Sequence, residues 1–305
     1  MPELPEVETV VRDLNKKVIG RRIVGVWLDW PKMIKDPFDQ SRTKIAHKHV
    51  ANFSKALAGK KIIKVRRRAK NILIYLSGDL LLLIHQKMTG HMLVGKWQIT
   101  NGKKVKPLGG GPIADDPYNK YIHLIFYLDN GKMLALSDLR KFAKAILGPV
   151  KQIENLEELK NLGPDALDPG LKFIKFVKLI KSERRKIKQV LMDQEVIAGI
   201  GNIYSDDILW AAKIHPFRAA NKISEKELKA IYGAMKKILT RALKLRGTSS
   251  SDFRDTAGEK GGYGNELLVY QKEGEPCSRC ATKIIRKKIG GRSAHFCPAC
   301  QSLRR

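Results

Sequence analysis

Apolar positions along the chain follow three successive patterns. Over Pro2–Val18, Val7, Val10, Val11 and Leu14 recur at helical spacing, which gives a helix with one apolar face. Pro2 and Pro5 stand where a first helical turn tolerates a missing N–H, and Glu3, Glu6 and Glu8 suit the positive end of the helix dipole. From about Ile23 to Leu147 the chain reads mostly as β. Ile62–Leu76, Leu80–His85, Tyr121–Leu128 and Lys132–Leu136 are strand-like runs, and Asp129-Asn130-Gly131 forms a hairpin turn between two of them. Trp97–Lys120, rich in Gly, Pro and Lys, reads as a long loop or insertion. Beyond Gly148-Pro149 the period becomes helical over Ile153–Asn161, Leu171–Ser182, Ile187–Met192, Ile203–Ala212 and Ser224–Leu245. Gly247–Gly264 is polar, without an apolar period, and reads as a mobile loop. The expected class is α+β and multidomain, with boundaries at 1–148, 149–265 and 266–305.

Length and composition agree with that division. The chain has 305 residues with 43% apolar content, enough for two ordinary domains plus a small module and too apolar for global disorder. Its longest apolar run, Leu80–Ile84, is far too short to cross a bilayer, and the acidic start lacks an apolar stretch before Arg12. A soluble, cytoplasmic and nucleoid-associated monomer is expected, with no membrane partner. Charge adds more. Lys and Arg number 59 against 30 Asp and Glu, a net +29. Self-repulsion of that size is relieved by a polyanion, and binding to nucleic acid should weaken steeply with salt. A lysine-rich solvated surface without such a partner is the plainer alternative.

All four cysteines lie in the last module, as Cys277-Ser278-Arg279-Cys280 and Cys297-Pro298-Ala299-Cys300. Two such knuckles place four thiolates tetrahedrally around one Zn²⁺, with no position left open for catalysis. Lys283, Arg286, Lys287, Lys288 and Arg292 lie between or beside them, so the finger suits phosphate. The N-terminus carries a second possibility. Removing Met1 exposes a secondary amine at Pro2, and an α-amino group titrates near neutrality. Such an amine attacks an aldehyde-like carbon to give an iminium, and Glu3 beside it can move protons. While Met1 is attached, the Pro2 nitrogen is an amide and cannot act. A capped helix with exposed acids is the bland reading of the same residues.

The start, Met1-Pro2-Glu3-Leu4-Pro5-Glu6-Val7-Glu8-Thr9-Val10, resembles that of the formamidopyrimidine-DNA glycosylase family. So, in order along the chain, do Arg67–Ile74, His85–Gly90, Ser137–Phe142, Ile200–Tyr204, Gly261–Tyr263 and the two zinc knuckles. The resemblance implies an N-terminal helix plus β-sandwich domain that is catalytic, a helical domain with a helix–two-turns–helix motif, and a C-terminal β-hairpin zinc finger. It implies excision of oxidised purines from double-stranded DNA, followed by strand cleavage through β- and δ-elimination. Carried over, Pro2 is the nucleophile at C1′, Glu3 the general acid that opens the sugar, Glu6 a support for the active-site hydrogen bonds, and Lys70 a phosphate contact. Met88, Arg140 and Phe142 fill the hole left by the flipped base, since a base in the stack is out of reach. Asn202 and Arg292 join Lys70 in holding the damaged strand, contacts that position DNA without reading sequence. Gly261-Gly262-Tyr263 corresponds to the loop that covers the flipped base.

Some positions depart from the family pattern: Gln86-Lys87 before Met88, where a smaller residue is usual; Lys141 and Ala143 in place of Arg and Gly; Asp206-Asp207, where a glutamate is common; and the long Trp97–Lys120 stretch. An endonuclease VIII-type enzyme acting on oxidised pyrimidines is the nearest rival, though Leu4 with Arg140 and Phe142 favours the purine branch. A non-catalytic zinc-ribbon protein that binds nucleic acid, and a basic ribosome-associated protein, are further alternatives.

Overall fold

The computed structural model describes residues 1–36, 46–249 and 252–303. The chain forms two compact units, Met1–Lys160 with Arg246–Gly262, and Asn161–Leu245 with Tyr263–Arg305.

In the first unit, in chain order, stand α1 (Leu4–Lys17), β1 (Ile23–Leu28), α2 (Ala46–Leu57), β2 (Ile62–Arg68), β3 (Asn71–Leu76), β4 (Leu80–His85), β5 (Gly90–Gly95), β6 (Trp97–Thr100), β7 (Lys104–Pro107), α3 (Pro112–Asp115), β8 (Ile122–Leu128), β9 (Met133–Asp138), β10 (Lys144–Pro149), α4 (Val150–Glu154) and α5 (Glu157–Lys160). Two four-stranded antiparallel sheets run β1-β8-β9-β5 and β10-β4-β3-β2. Strand side chains alternate between faces. Met92, Leu124, Phe126, Leu134 and Leu136 of the first sheet therefore meet Ile72, Ile74, Leu82 and Ile84 of the second in one core. Val7, Val10 and Leu14 of α1 are fully buried in the same core, each contributing about 1.5–3 kcal/mol by burial. The apolar stripe thus fixes α1, and with it the N-terminus, against the sandwich.

Four expectations need correction. Trp97–Lys120 is not a bare loop: β6 and β7 pair as a hairpin through a turn with Asn101 and Gly102 at positive φ. Its Trp97, Ile99, Val105 and Ile113 cover the outer face of the first sheet at Leu93, Ile125 and Ala135. Too few apolar positions stand against the Gly, Pro and Lys content for this to show as a period. The stretch read as β also holds a helix, α2, whose Phe53 and Leu57 join the core. Ile62–Leu76 is two strands split by a two-residue turn at Ala69-Lys70, and Ile153–Asn161 is two short helices, α4 and α5.

Gly247–Gly264, read as mobile, is held by polar contacts over its described residues. Arg246 bridges Asp255 at 2.6 Å and Asp13 of α1 at 2.5 Å. Thr256 donates to Asp13 at 2.9 Å and accepts from Lys17 at 2.7 Å, while its carbonyl accepts the Val94 N–H at 2.9 Å. Phe253 is its one large apolar side chain in the core among the described residues, and hydrogen bonds hold the rest, so no periodicity marks the strap.

Lys87 lies at φ +56°, in the left-handed region that strains a residue carrying Cβ by about 1–2 kcal/mol. Lys87→Gly is expected to raise stability by about 0.5–1 kcal/mol, the relief being partly offset by glycine's larger unfolded-state entropy. The urea midpoint should rise with an unchanged slope.

The second unit holds α6 (Phe173–Lys181), α7 (Ile187–Met192), α8 (Asn202–Ala211), α9 (Glu225–Lys244), β11 (Ile285–Ile289) and β12 (Arg292–Phe296). Ser224 and Glu227 form a capping box on α9, and Leu228, Ile231, Met235, Ile238 and Leu239 line its buried face. Asp207 of α8 is buried and accepts from the N–H groups of Leu268 and Val269 at 3.2 and 3.1 Å and from the Tyr263 hydroxyl at 3.2 Å. Burial pushes its carboxyl up to about 6, against the pull of those N–H donors. The folded state then holds this proton more tightly than the unfolded chain between the ordinary value of 3.8 and about 6, so the contribution to stability falls as pH rises through that window. Asp207→Asn has no such titration. Its stability deficit against the parent should shrink as pH rises through the same range, read from paired urea titrations. Among the described residues no helix is long and apolar enough to cross a membrane.

Candidate functional site

α1 begins at a buried corner. Pro2, Glu3 and Glu6 are all buried, and Glu3 is the helix N-cap. Glu6 Oε2 accepts the Glu3 N–H at 2.8 Å and Glu6 Oε1 accepts the Thr248 N–H at 2.7 Å. One carboxylate thus satisfies an orphan donor of the helix start and ties the 246–262 strap to it. Gly247, at φ +86°, leaves no room for a side chain, since a Cβ there would stand 2.7 Å from Glu6 Oε1. The amino group of residue 1 is pushed below its ordinary value by burial, while the charges of Glu3, Glu6 and Asp252 oppose that shift and Lys70 adds to it. Lys70, only 6% exposed, is therefore in electrostatic reach of the N-terminus from the tip of the β2–β3 hairpin, whose other turn residue, Ala69, has φ +53°.

Sequence reasoning missed His85. Its Nδ1 accepts the Lys87 N–H at 2.9 Å, which leaves Nε2 as the proton-bearing nitrogen. Burial first, then Lys87, Lys144 and Lys70, lower it to about 3. It is a neutral donor among lysines, suited to an anion. The signal lay in its place within His85–Gly90, beside residues already singled out.

Met88 and the pair Arg140 and Phe142 sit on two loops joined by one side chain. Asp138 Oδ1 accepts from the Thr89 hydroxyl and from the Arg140 N–H at 3.2 Å, while Oδ2 accepts the Ala143 N–H at 2.6 Å. Asp138 is fully buried. Gly90 is required where the first loop enters β5, because a Cβ would meet the Gln86 carbonyl at 2.3 Å. Phe142 is 53% exposed, an unusual position for a large apolar ring, and the Arg140 guanidinium stacks on it at 4.7 Å. Met88 is half-buried and Arg140 exposed.

In the second unit, Asn202 opens α8 after the turn from α7, with Gly199 at φ +106° donating its N–H to Gln194 Oε1 at 2.9 Å. Beneath it lies a buried group that sequence reasoning also missed. Lys188 Nζ donates to Asp206 Oδ1 at 2.6 Å and Ser205 Oγ at 3.1 Å, and Asp206 Oδ2 accepts the His295 N–H at 3.0 Å. Breaking such a paired buried charge is costly. The network locks the two-turn motif to the β-hairpin, and only Asp206 stood out in the sequence. Arg292 is exposed at the start of β12, after a turn with Gly290 and Gly291 at positive φ. Tyr263, in the stretch expected to cover a flipped base, is 2% exposed and packed against Tyr204 at 5.5 Å.

The four cysteine Sγ atoms of Cys277, Cys280, Cys297 and Cys300 lie within 4.8 Å of one another. A tetrahedral Zn²⁺ with Zn–S near 2.3 Å needs sulfur separations of about 3.8 Å, and the contacts of 4.0, 3.4 and 3.4 Å are of that size. The donor set fits one structural zinc. Trp210 Nε1 donates to Cys277 Sγ at 3.4 Å, and Arg279 stacks on the indole at 3.6 Å.

Comparison with known proteins agrees with this geometry. Residues 1–145 match the formamidopyrimidine-DNA glycosylase N-terminal domain, residues 162–254 its H2TH domain, and residues 274–303 the zinc finger found in FPG and IleRS. A formamidopyrimidine-DNA glycosylase of Pelotomaculum thermopropionicum is 38% identical, with 100% of each chain covered. Among solved structures, Lactococcus lactis Fpg in complex with DNA containing an abasic site has a TM-score of 0.81 at 32% identity, covering 98% of this chain and 99% of that one. The wild-type enzyme of the same organism with N7-benzyl-Fapy-dG DNA has a TM-score of 0.81 at 33% identity, covering 99% and 100%. Full-length identity with these proteins, and the sandwich, two-turn motif and zinc finger found in turn, establish that the chain belongs to the formamidopyrimidine-DNA glycosylase family.

Proposed function

We propose that this protein is a bifunctional DNA glycosylase and AP lyase of base excision repair, which removes oxidised purines such as 8-oxoguanine and formamidopyrimidines. The observation that carries this reading is the buried N-terminal corner, where Glu6 fixes Glu3 and the strap around the first residues and Lys70 stands within electrostatic reach. Once Met1 is removed, burial favours the neutral, nucleophilic form of the Pro2 amine. That amine bonds C1′, the damaged base leaves, and Glu3 protonates the sugar ring oxygen as the ring opens. The resulting iminium draws electrons from C2′, so β- and then δ-elimination release both phosphates and leave a one-nucleotide gap.

Lys70 contacts the phosphate at the lesion, with His85 as a neutral donor in the same cationic setting. Asn202 and Arg292 contact backbone phosphates. Arg140 faces the orphaned base, while Met88 and Phe142 take the vacated space. The partner is double-stranded DNA, with no membrane, and the protein acts as a cytoplasmic monomer on the nucleoid. Zinc, held by the four cysteines, is structural and enters no chemical step.

The test is reduction with sodium borohydride during turnover on a duplex with 8-oxoguanine opposite cytosine. A covalent protein–DNA adduct is expected, together with preference for this substrate over thymine glycol. A preference for thymine glycol assigns the protein to oxidised pyrimidines, and the absence of any base release leaves only a nucleic-acid-binding role.

A further inference from the structure

The insertion between β5 and β8 reaches the N-terminal corner. Its last turn carries Tyr118, whose ring stands edge-on to buried His91 with centroids 5.6 Å apart. The Tyr118 N–H donates to Asp116 Oδ1 at 3.0 Å, and its carbonyl accepts from Ser137 Oγ at 2.8 Å. The backbone of Tyr118 is thus held at both ends while His91 packs on its ring, and its hydroxyl donates to Asp252 Oδ1 at 2.7 Å.

Asp252 belongs to the strap that Glu6 holds through Thr248. Ser249 Oγ donates to the Phe253 carbonyl, next to Asp252, at 2.6 Å. Phe253 is buried in the core with Val7 and Val10 of α1. The strap therefore places Asp252 at the start of α1, and its charge acts on the terminal amine alongside those of Glu3 and Glu6, with Lys70 opposing. The hydrogen bond to Asp252 is also the first cause raising the Tyr118 hydroxyl to about 12, with the Arg254 guanidinium pulling the other way. Tyr118 stays protonated at any working pH and keeps Asp252 as its acceptor.

Proton traffic at this corner needs two carriers. One proton must leave the attacking nitrogen and another must reach the ring oxygen. Glu3 serves the second, and both oxygens of Glu6 accept from backbone N–H groups. We propose that Asp252, positioned by Tyr118, is a further catalytic residue that takes the proton shed by the Pro2 nitrogen. The proposal rests on the nucleophilic role of Pro2 given above. The N–C1′ bond forms as the C1′–base bond breaks, its electron pair leaving with the base, which takes a proton from water. The nitrogen, now with four bonds, passes its proton to the Asp252 carboxylate. Its lone pair then expels O4′, which takes the proton of Glu3, and the iminium is left. An ammonium next to an ether carbon is far more acidic than a free amine, so a carboxylate is an adequate base for it.

Asp252→Asn, Asp252→Glu and Tyr118→Phe should be compared in single-turnover base release and borohydride trapping across pH, together with lesion-DNA affinity and melting temperature. Asp252→Asn is expected to slow release by about 10²-fold at neutral pH, in the range for loss of one proton carrier. The deficit should shrink at alkaline pH, where hydroxide takes the proton, and affinity should change less than about twofold. Asp252→Glu should restore part of the rate, and Tyr118→Phe should cost about fivefold with the same pH signature. An unchanged rate and pH profile in Asp252→Asn overturns the proposal, as does a rate loss matched by an equal loss of affinity or by unfolding in both Asp252→Asn and Tyr118→Phe. No adduct with the parent protein would overturn the Pro2 reading itself, whereas an adduct with an indifferent Asp252→Asn overturns the role of Asp252 alone.

Discussion

Pro2→Gly is expected to lower single-turnover base release and borohydride trapping on the order of 10²-fold, about 3 kcal/mol of barrier. Two physical effects combine. An iminium built on a proline nitrogen has no N–H to lose and stays cationic at every pH, so it remains an electron sink throughout elimination. A glycine amine gives an imine that must be protonated to do the same. Glycine also removes a buried ring at the start of α1, loosening the geometry that holds the nitrogen near Glu3 and Lys70, and small displacements of a reacting group are costly. Lesion-DNA affinity should change little, since the ring is not a phosphate contact. Mass spectrometry of the mature protein supplies the control: full-speed cutting by chains that keep Met1 would falsify the role of Pro2.

The second large effect concerns the metal. Stripping zinc with a strong chelator, or Cys300→Ser, is expected to abolish specific lesion binding, with a loss in affinity of at least about 10²-fold, because zinc binding in such modules is itself the folding free energy, about 10–16 kcal/mol. Cys277 and Cys297 pack in one apolar cluster with Trp210, Val269 and Ile284, so losing the ion also unpacks α8. Tryptophan fluorescence should change in step with zinc release, and DNA affinity should fall with it. Retained affinity in metal-free protein would sink this expectation.

The amphipathic stripe of α1, the helical period of α9 and the paired knuckles were readable from sequence because each obeys a local rule of spacing. α2 escaped because it interrupts a long β region, and among its described side chains Phe53 and Leu57 alone are buried in the core. The strap escaped because Arg246, Asp255 and Thr256 hold it by charge and hydrogen bond, which leave no period. Pro2, Glu3, Glu6 and Lys70 could be named in advance, yet their grouping depends on a hairpin turn and on Thr248, far along the chain. Lys188 and His295 gave no sign, since a buried lysine looks like any other until its carboxylate partner is placed beside it.

The shared attachment at Asp138 bears on the proposed places of Met88, Arg140 and Phe142 in a duplex. The two loops hang from a common buried hook, so a displacement at either is transmitted to its neighbour. On that proposal, insertion and withdrawal of these side chains are a concerted act, and a chimaera that borrows only one loop from a relative inherits half of a mechanism.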